Sequence, residues 1–281
     1  MTIERVFDIL NFAYQKYGDK TAIAGKKHGK WIEYSFLDCI NNANYVSAAL
    51  LEAGVQKGDL ILNISDNRPE WNFADIGILQ IGAVHVPVFP TINIVELEYI
   101  IKEVNPSIIF LSNRFAAQRV KKILAGNTEV RVIALDDSAE SEKFSDFMEL
   151  GKREFSASKI EKIKEEVSRK DLASIIYTSG TTTMPKGVML SHDNHVSNVL
   201  VAGHLIGIDH TMNRVCYLPL SHSYERMVGY ISLYRGMAVY YNENMVNILS
   251  NFITVKPSIL VTVPLLLERI YKGVIDKHED L

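Results

Sequence analysis

One stretch, residues 172–192, constrains the fold and the chemistry of this chain more than any other. It begins with a short apolar run, Leu172–Tyr177, which is rich in β-branched residues and predicts a buried strand. A second apolar run, Gly187–Leu190, precedes Ser191, which is placed to cap a helix. The inner face of that helix is predicted to carry Val196, Val199, Leu200 and Gly203.

The loop between the two apolar runs is rich in hydrogen-bond donors. Its polar or flexible residues are Thr178, Ser179, Gly180, Thr181, Thr182, Thr183 and Lys186. Gly180 can adopt backbone angles that turn amide groups inward, and Lys186 adds a positive charge on a long side chain. Donors and a cation on a loop that leaves a strand are suited to holding a polyphosphate. The alternative is a Ser/Thr-rich surface loop with no ligand.

The spacing within this loop differs from that of the GxxxxGK[ST] phosphate loop. Lys186 is preceded by Pro185 and followed by Gly187, whereas that motif requires glycine before the lysine and a hydroxyl-bearing residue after it. An ordinary nucleotide triphosphatase is therefore disfavoured.

The loop resembles the signature Tyr-Thr-Ser-Gly-Thr-Thr-Gly-x-Pro-Lys-Gly of the adenylate-forming superfamily, which includes acyl-CoA synthetases, luciferases and peptide-synthetase adenylation domains. The chain departs from that signature at Thr183, where the family usually has glycine. The resemblance implies that the loop, including Gly187, holds ATP, and that Lys186 takes part in catalysis. It also implies Mg²⁺ bound through Thr178, and coenzyme A as a further substrate.

A second segment, Tyr217–Arg226, lies at the end of a predicted strand, where open α/β sheets place their ligands. Its Leu-Pro-Leu-Ser-His-x-x-Glu-Arg pattern resembles a motif at the mouth of the acyl tunnel of long-chain fatty acyl-CoA synthetases. The resemblance implies a catalytic role for His222 beside the α-phosphate. Some relatives have a gating aromatic four places after this histidine, where the present chain has Arg226.

Two further segments resemble the same group of synthetases. One is 66–71, which also fits a helix N-terminus with Pro69 in its first turn. The other is 263–271, in which Leu265 replaces the usual arginine. Relatives are expected to be about twice as long or more, with a magnesium-binding Glu further along the chain and a catalytic Lys in a small C-terminal domain. We therefore interpret the chain as an N-terminal portion that is inactive alone.

Strands alternate with helices along most of the sequence, which predicts an α/β fold with two doubly wound, mostly parallel sheets and flanking helices. With the resemblance, this is the N-terminal part of the large domain of an adenylate-forming enzyme. We predict a first subdomain over 1–168, with a polar, charged connector at 136–170 that is solvated. We predict a second subdomain over 169–281 that carries the phosphate loop.

The composition favours a soluble cytoplasmic protein. Hydrophobic residues make up 47% and the formal charge is -3, which argues against a nucleic-acid partner. Cys39 and Cys216 are far apart in apolar contexts and are predicted to be buried free thiols. No signal peptide or membrane span is predicted, although loose contact with a membrane surface stays open.

Together these observations predict an AMP-forming long-chain fatty acid–CoA ligase that uses ATP, Mg²⁺ and coenzyme A. Two alternatives remain at this point. One is an adenylation domain for another carboxylic or amino acid, which would share the phosphate loop. The other is a non-catalytic module that binds a nucleotide or an acyl group.

Overall fold

The computed structural model describes residues 2–125, 127, 129–136, 141–178, 184–264, 267, 268 and 271. Within these ranges the strands are β1 (Thr21–Lys27), β2 (Lys30–Ser35), β3 (Leu60–Ile64), β4 (Val84–Val88), β5 (Ile108–Leu111), β6 (Arg131–Ala134), β7 (Glu142–Lys143), β8 (Leu172–Thr178), β9 (Lys186–Ser191), β10 (Asn213–Cys216) and β11 (Ala238–Tyr241). The helices are α1 (Asp8–Tyr17), α2 (Phe36–Glu52), α3 (Pro69–Gln80), α4 (Ile94–Val104), α5 (Arg114–Ile123), α6 (Phe144–Glu154), α7 (Ala157–Glu165), α8 (His192–Leu205), α9 (Ser223–Tyr234) and α10 (Ile248–Val255), with a 3-10 turn at Met245–Asn247.

The strands form two mostly parallel sheets. The smaller sheet has the order β10-β11-β1-β2, in which β2 runs antiparallel to β1. The larger sheet has the order β7-β6-β5-β3-β4-β8-β9, in which β9 runs antiparallel to β8. The predicted α/β fold with two mostly parallel sheets and flanking helices is confirmed.

Each sheet takes strands from both sides of residue 168. The smaller sheet pairs β1, near the start of the chain, with β11, and the larger sheet pairs β4 with β8. The predicted boundary therefore does not separate the two sheets, because each sheet is completed by strands distant in sequence. The division of the chain into subdomains stays a prediction.

Apolar side chains cover the larger sheet on both faces. On one face, Ile61 of β3 belongs to a core cluster that also contains Ile23 of β1, so this core is shared with the smaller sheet. On the other face, Leu62 of β3 packs in a separate cluster with residues of α4 and α5. The parallel strands of the larger sheet thus lie between two packed apolar layers.

The predicted connector, 136–170, contributes to the core. Helix α6 lies within it and packs against α2, and Phe147 is fully buried with its ring 5.8 Å from that of Phe110. Its described charged residues are exposed or half-buried, apart from Lys164, and its inner side is apolar. Its charged residues are interrupted by Phe144, Phe147 and Met148, which are spaced to bury one face of a helix.

The crossing of α2 and α6 depends on Gly151. A Cβ atom at this position would overlap the carbonyl oxygen of Tyr45 on α2. We expect Gly151→Ala to lower the free energy of unfolding by about 2 kcal/mol, because the cost of overpacking exceeds the higher helix propensity of alanine. Urea denaturation measures this loss.

Gly207→Ala is the matched control, since a Cβ there would have no heavy atom within 4 Å. Equal stability of the two variants would contradict the proposed close approach of the helices.

Two further sequence predictions concern the thiols and the membrane. Cys39 and Cys216 are buried and free, as predicted. None of the helices in the described ranges has the length and apolar character that crossing a bilayer requires.

Candidate functional site

The two ends of the predicted phosphate loop lie side by side. Thr178, the last residue of β8, is the cross-strand partner of Lys186, the first residue of β9, and both are exposed. Directly opposed residues of an antiparallel pair project from the same face of the sheet, so this hydroxyl and this ammonium group belong to one face. Five of the predicted ATP-binding residues lie outside the described residues, namely Ser179, Gly180, Thr181, Thr182 and Thr183.

Strand β9 begins at Lys186, one residue before the apolar run Gly187–Leu190. Within this strand, Gly187 pairs with Tyr177 across the hairpin. A Cβ at Gly187 would lie 2.7 Å from Cγ2 of Ile175 and 3.3 Å from Cζ of Tyr177. Packing of these side chains is therefore sufficient reason for glycine here, and its predicted contact with ATP stays a prediction.

Tyr177 of β8 links this hairpin to α4 through a hydrogen bond. Its hydroxyl donates a hydrogen bond of 2.6 Å to Oε2 of Glu103. Partial burial and the neighbouring Glu103 carboxylate both raise the pKa of Tyr177, so the hydroxyl stays protonated and keeps donating. The strand that ends at Thr178 is thus held in place next to the candidate site.

His222 is an exposed residue at the start of α9. It is the N-cap of that helix, and its Nδ1 accepts a hydrogen bond of 3.2 Å from the backbone N–H of Tyr224. In the neutral ring this leaves the proton on Nε2, which can donate to an anionic oxygen. The ring also packs against Phe89, with 6.4 Å between ring centroids.

His222 and Thr178 lie at the same edge of the larger sheet. His85 of β4 pairs in parallel with Ser174 of β8. Phe89 and Thr178 each lie four residues beyond that pair, so both residues lie at the carboxyl edge of the sheet. Because His222 contacts Phe89, the structure brings Thr178, Lys186 and His222 to one edge, where open α/β sheets hold their ligands.

Asn67 positions the loop that leads to His222. Its Nδ2 donates to the carbonyl oxygen of Leu218 at 2.7 Å, and its Oδ1 accepts from the backbone N–H of Leu220 at 2.9 Å. The sequence of 66–71 predicts a helix N-terminus and does not by itself indicate this role. The available signal was an amide side chain, which can donate and accept at once, three residues after a buried strand.

Arg226 occupies the position at which the resemblance suggests a gating aromatic. Its side chain is only 1% exposed and forms an ion pair with Asp75. It therefore faces the interior rather than a mouth open to solvent. The other departure from the family pattern, Leu265, lies outside the described residues.

The described residues fit Mg²⁺ only as an accessory to a phosphate ligand. Within the described ranges, no cluster of three or more His, Cys, Asp or Glu side chains could hold a metal ion. Thr178 offers one hydroxyl oxygen, and Mg²⁺ bound to phosphates commonly keeps several waters and takes few protein ligands. A nucleotide polyphosphate fits better, since Lys186 supplies a cation and His222 a donor at the same edge.

Comparisons with known sequences give a family match along nearly the whole chain. The sequence profile described as "AMP-binding enzyme" matches residues 11–280. Fatty acyl-CoA synthetase A of Dictyostelium discoideum is 32% identical over 269 residues, which are 90% of this chain and 39% of that protein. The chain thus spans about two fifths of the length of the curated relatives it matches.

Solved structures share the fold. The crystal structure of VinN superposes with a TM-score of 0.81 at 21% identity, covering 98% of this chain and 65% of that one. A long-chain-fatty-acid-CoA ligase (FadD1) from Archaeoglobus fulgidus gives a TM-score of 0.77 at 24% identity, covering 90% and 50%.

Proposed function

The chain belongs to the AMP-binding enzyme family, and from this premise we propose that it forms the nucleotide-binding part of an AMP-forming long-chain fatty acid–CoA ligase. The observation that carries the proposal is the meeting of the Thr178–Lys186 hairpin and His222 at one carboxyl edge. Relatives named as fatty acyl-CoA synthetases support the choice of substrate class.

The reaction has two steps. A carboxylate is a poor acyl donor because its leaving group would be oxide, so its oxygen first attacks the α-phosphorus of ATP. The bond from that phosphorus to the β-phosphate breaks, which releases diphosphate and leaves an acyl adenylate. The thiol of coenzyme A then attacks the acyl carbon and displaces AMP.

The side chains act chiefly through position and charge, as is usual for reactions at phosphorus. Lys186 would bind the β- and γ-phosphates and stabilise the charge on departing diphosphate. His222 would donate its Nε2 proton in a hydrogen bond to an oxygen of the α-phosphate or the carboxylate. Mg²⁺, when bound through Thr178, would neutralise charge on the phosphates.

Lys186→Ala tests this assignment by separating two ligands. We expect the variant to bind ATP about 10- to 100-fold more weakly, since a hydrogen bond to a charged group is lost. It should bind a palmitoyl sulfamoyl-adenosine, an acyl-adenylate analogue, almost as the original chain does, because this analogue has no β- or γ-phosphate. Isothermal titration calorimetry of the full chain measures both affinities.

Lys170→Ala is the matched control, since Lys170 is also exposed but precedes the opposite, amino end of β8. An equal loss of affinity for both ligands in Lys186→Ala, or none for ATP, would contradict the role of this lysine. Preference for an aminoacyl over the palmitoyl analogue would instead favour an amino-acid-activating domain.

A further inference from the structure

A cluster of buried polar side chains lies on the interior side of α9, one helical turn from His222. Arg226 donates from Nη2 to Oδ1 of Asp75 at 2.5 Å and from Nε to the hydroxyl of Tyr230 at 2.8 Å. That hydroxyl donates to Oδ2 of Asp75 at 2.7 Å, and Nδ1 of His85 lies 2.6 Å from Oδ1. All four side chains are buried. The cluster links α9 to α3, through Asp75, and to β4, through His85.

Asp75 is ionised within this cluster. Burial alone would raise its pKa, but the guanidinium of Arg226 and the hydrogen-bonded His85 together hold the pKa well below its ordinary value. The cluster is thus a true ion pair with additional donors. Such buried pairs rarely stabilise a fold more than apolar residues of the same volume would. Their contribution is directional, since a planar guanidinium fixes two partners at defined angles.

The contacts close a circuit that includes His222. The backbone N–H of Arg226 donates to the carbonyl oxygen of His222 in the first turn of α9, at 3.0 Å. From Arg226 the circuit passes through Asp75 to His85, and Phe89 lies four residues further along the chain from His85. The ring of Phe89 then contacts that of His222.

From this circuit we infer that Arg226 is a positioning residue for His222: its bonds to Asp75 and Tyr230 hold the N-terminus of α9 so that the His222 ring stays against Phe89 and faces the ligand. This explains why an arginine stands where the resemblance suggests a gating aromatic. The inference deepens the proposed function and rests on it for the identity of the ligand.

The test uses two variants of the full chain. Arg226→Met combined with Asp75→Leu removes both charges together, so that neither is left buried without its partner. Arg226→Lys keeps the charge but cannot form the same fork with Asp75 and Tyr230. For each variant we would measure the thermal midpoint, the nuclear Overhauser effect between the rings of His222 and Phe89 in selectively labelled protein, and the affinity for the palmitoyl sulfamoyl-adenosine.

We expect the double variant to stay folded, to lose the ring-to-ring effect and to bind the analogue at least about tenfold more weakly, the scale of one lost hydrogen bond to a charged group. Arg226→Lys should fall between the double variant and the original chain. Arg131→Met combined with Glu142→Leu, which removes an ion pair between β6 and β7, should change neither the effect nor the affinity.

Retention of the ring-to-ring effect in the double variant would overturn the inference, and so would its loss with unchanged affinity. Failure of the original chain to bind the analogue would refute the proposed function instead. In that case the ring-to-ring effect in the variants still decides whether Arg226 positions His222.

Discussion

The free energy of unfolding of this chain is expected to fall steeply as the pH is lowered from about 6.5 to about 4, because buried histidines, among them His192 and His195, are neutral in the folded state. Burial lowers the pKa of His192 to about 4. Burial, with the nearby charge of Arg226 as the next cause, lowers the pKa of His195 to about 3. Both values lie below the ordinary value of 6.5.

The contacts of these rings explain why the folded state resists protonation. Nδ1 of His192 accepts a hydrogen bond of 3.2 Å from the backbone N–H of Val6, which a protonated Nδ1 could not do. Nε2 of His195 lies 2.9 Å from the hydroxyl of Ser174. Since the unfolded chain binds these protons at higher pH than the folded chain, stability is full above about pH 6.5 and is lost as the pH falls.

The expected loss is large compared with the total stability. His192 and His195 each contribute about 1.4 kcal/mol per pH unit within this window, so these two together contribute about 2.8 kcal/mol per unit. Burial also lowers the pKa of His85, which adds to the loss. Typical domains have only about 5–15 kcal/mol in all. Urea denaturation followed by circular dichroism, at a series of pH values between neutral and about 4, gives the slope directly.

His195→Gln should lower this slope by about 1.4 kcal/mol per pH unit, whereas His204→Gln, at an exposed position on the same helix, should leave it unchanged. Asp75, whose folded pKa is lowered, adds to the loss only near and below the ordinary carboxyl range of about pH 4. A stability independent of pH, or an unchanged slope in His195→Gln, would contradict the neutral buried histidines.

Arg214→Met is expected to be among the most destabilising single substitutions in the chain. Nη1 of Arg214 is 2.5 Å from Oε1 of Glu225, and the two side chains are 0% and 1% exposed. Without the guanidinium, Glu225 would remain as a buried carboxylate with no ionic partner, which costs about 3–5 kcal/mol. Urea denaturation at neutral pH measures the change.

Two further variants show whether the cost arises from the orphaned charge. Combining Arg214→Met with Glu225→Leu should restore most of the stability, because no charge is left buried. Arg131→Met breaks a pair with Glu142 that is about one-third exposed and should cost less than about 1 kcal/mol. If Arg214→Met lowered the free energy of unfolding no more than Arg131→Met does, the cost of a buried carboxylate without its partner would be contradicted.

Elements whose signals are local could be predicted from the sequence. Ser191 was predicted as a helix cap, and its side chain accepts a hydrogen bond from a backbone N–H of the first turn of α8. Strand β8 was predicted over Leu172–Tyr177 and is observed over Leu172–Thr178. These features depend on a side chain and its near neighbours in the chain, which are visible in the sequence.

The candidate site was only partly predictable. The residue types of the 178–187 stretch and of His222 predicted a candidate binding site, because hydroxyls, a cation and an imidazole follow apolar strands. The positioning residues were missed. Asn67 bonds to residues about 150 positions away, and Arg226 to Asp75 at a similar separation, so nothing in their own surroundings indicates these partners.

The sequence by itself determined the alternation of strands and helices, the caps and the chemistry at the ends of β8 and β9, because these depend on local spacing and residue type. The tertiary structure alone decided that β1 joins β11, that β8 joins β4, and that Lys186 stands opposite Thr178 within a strand. Distant strands pair in the arrangement that buries the most apolar surface while every backbone group forms a hydrogen bond. The buried area depends on the whole chain and cannot be read from any local segment.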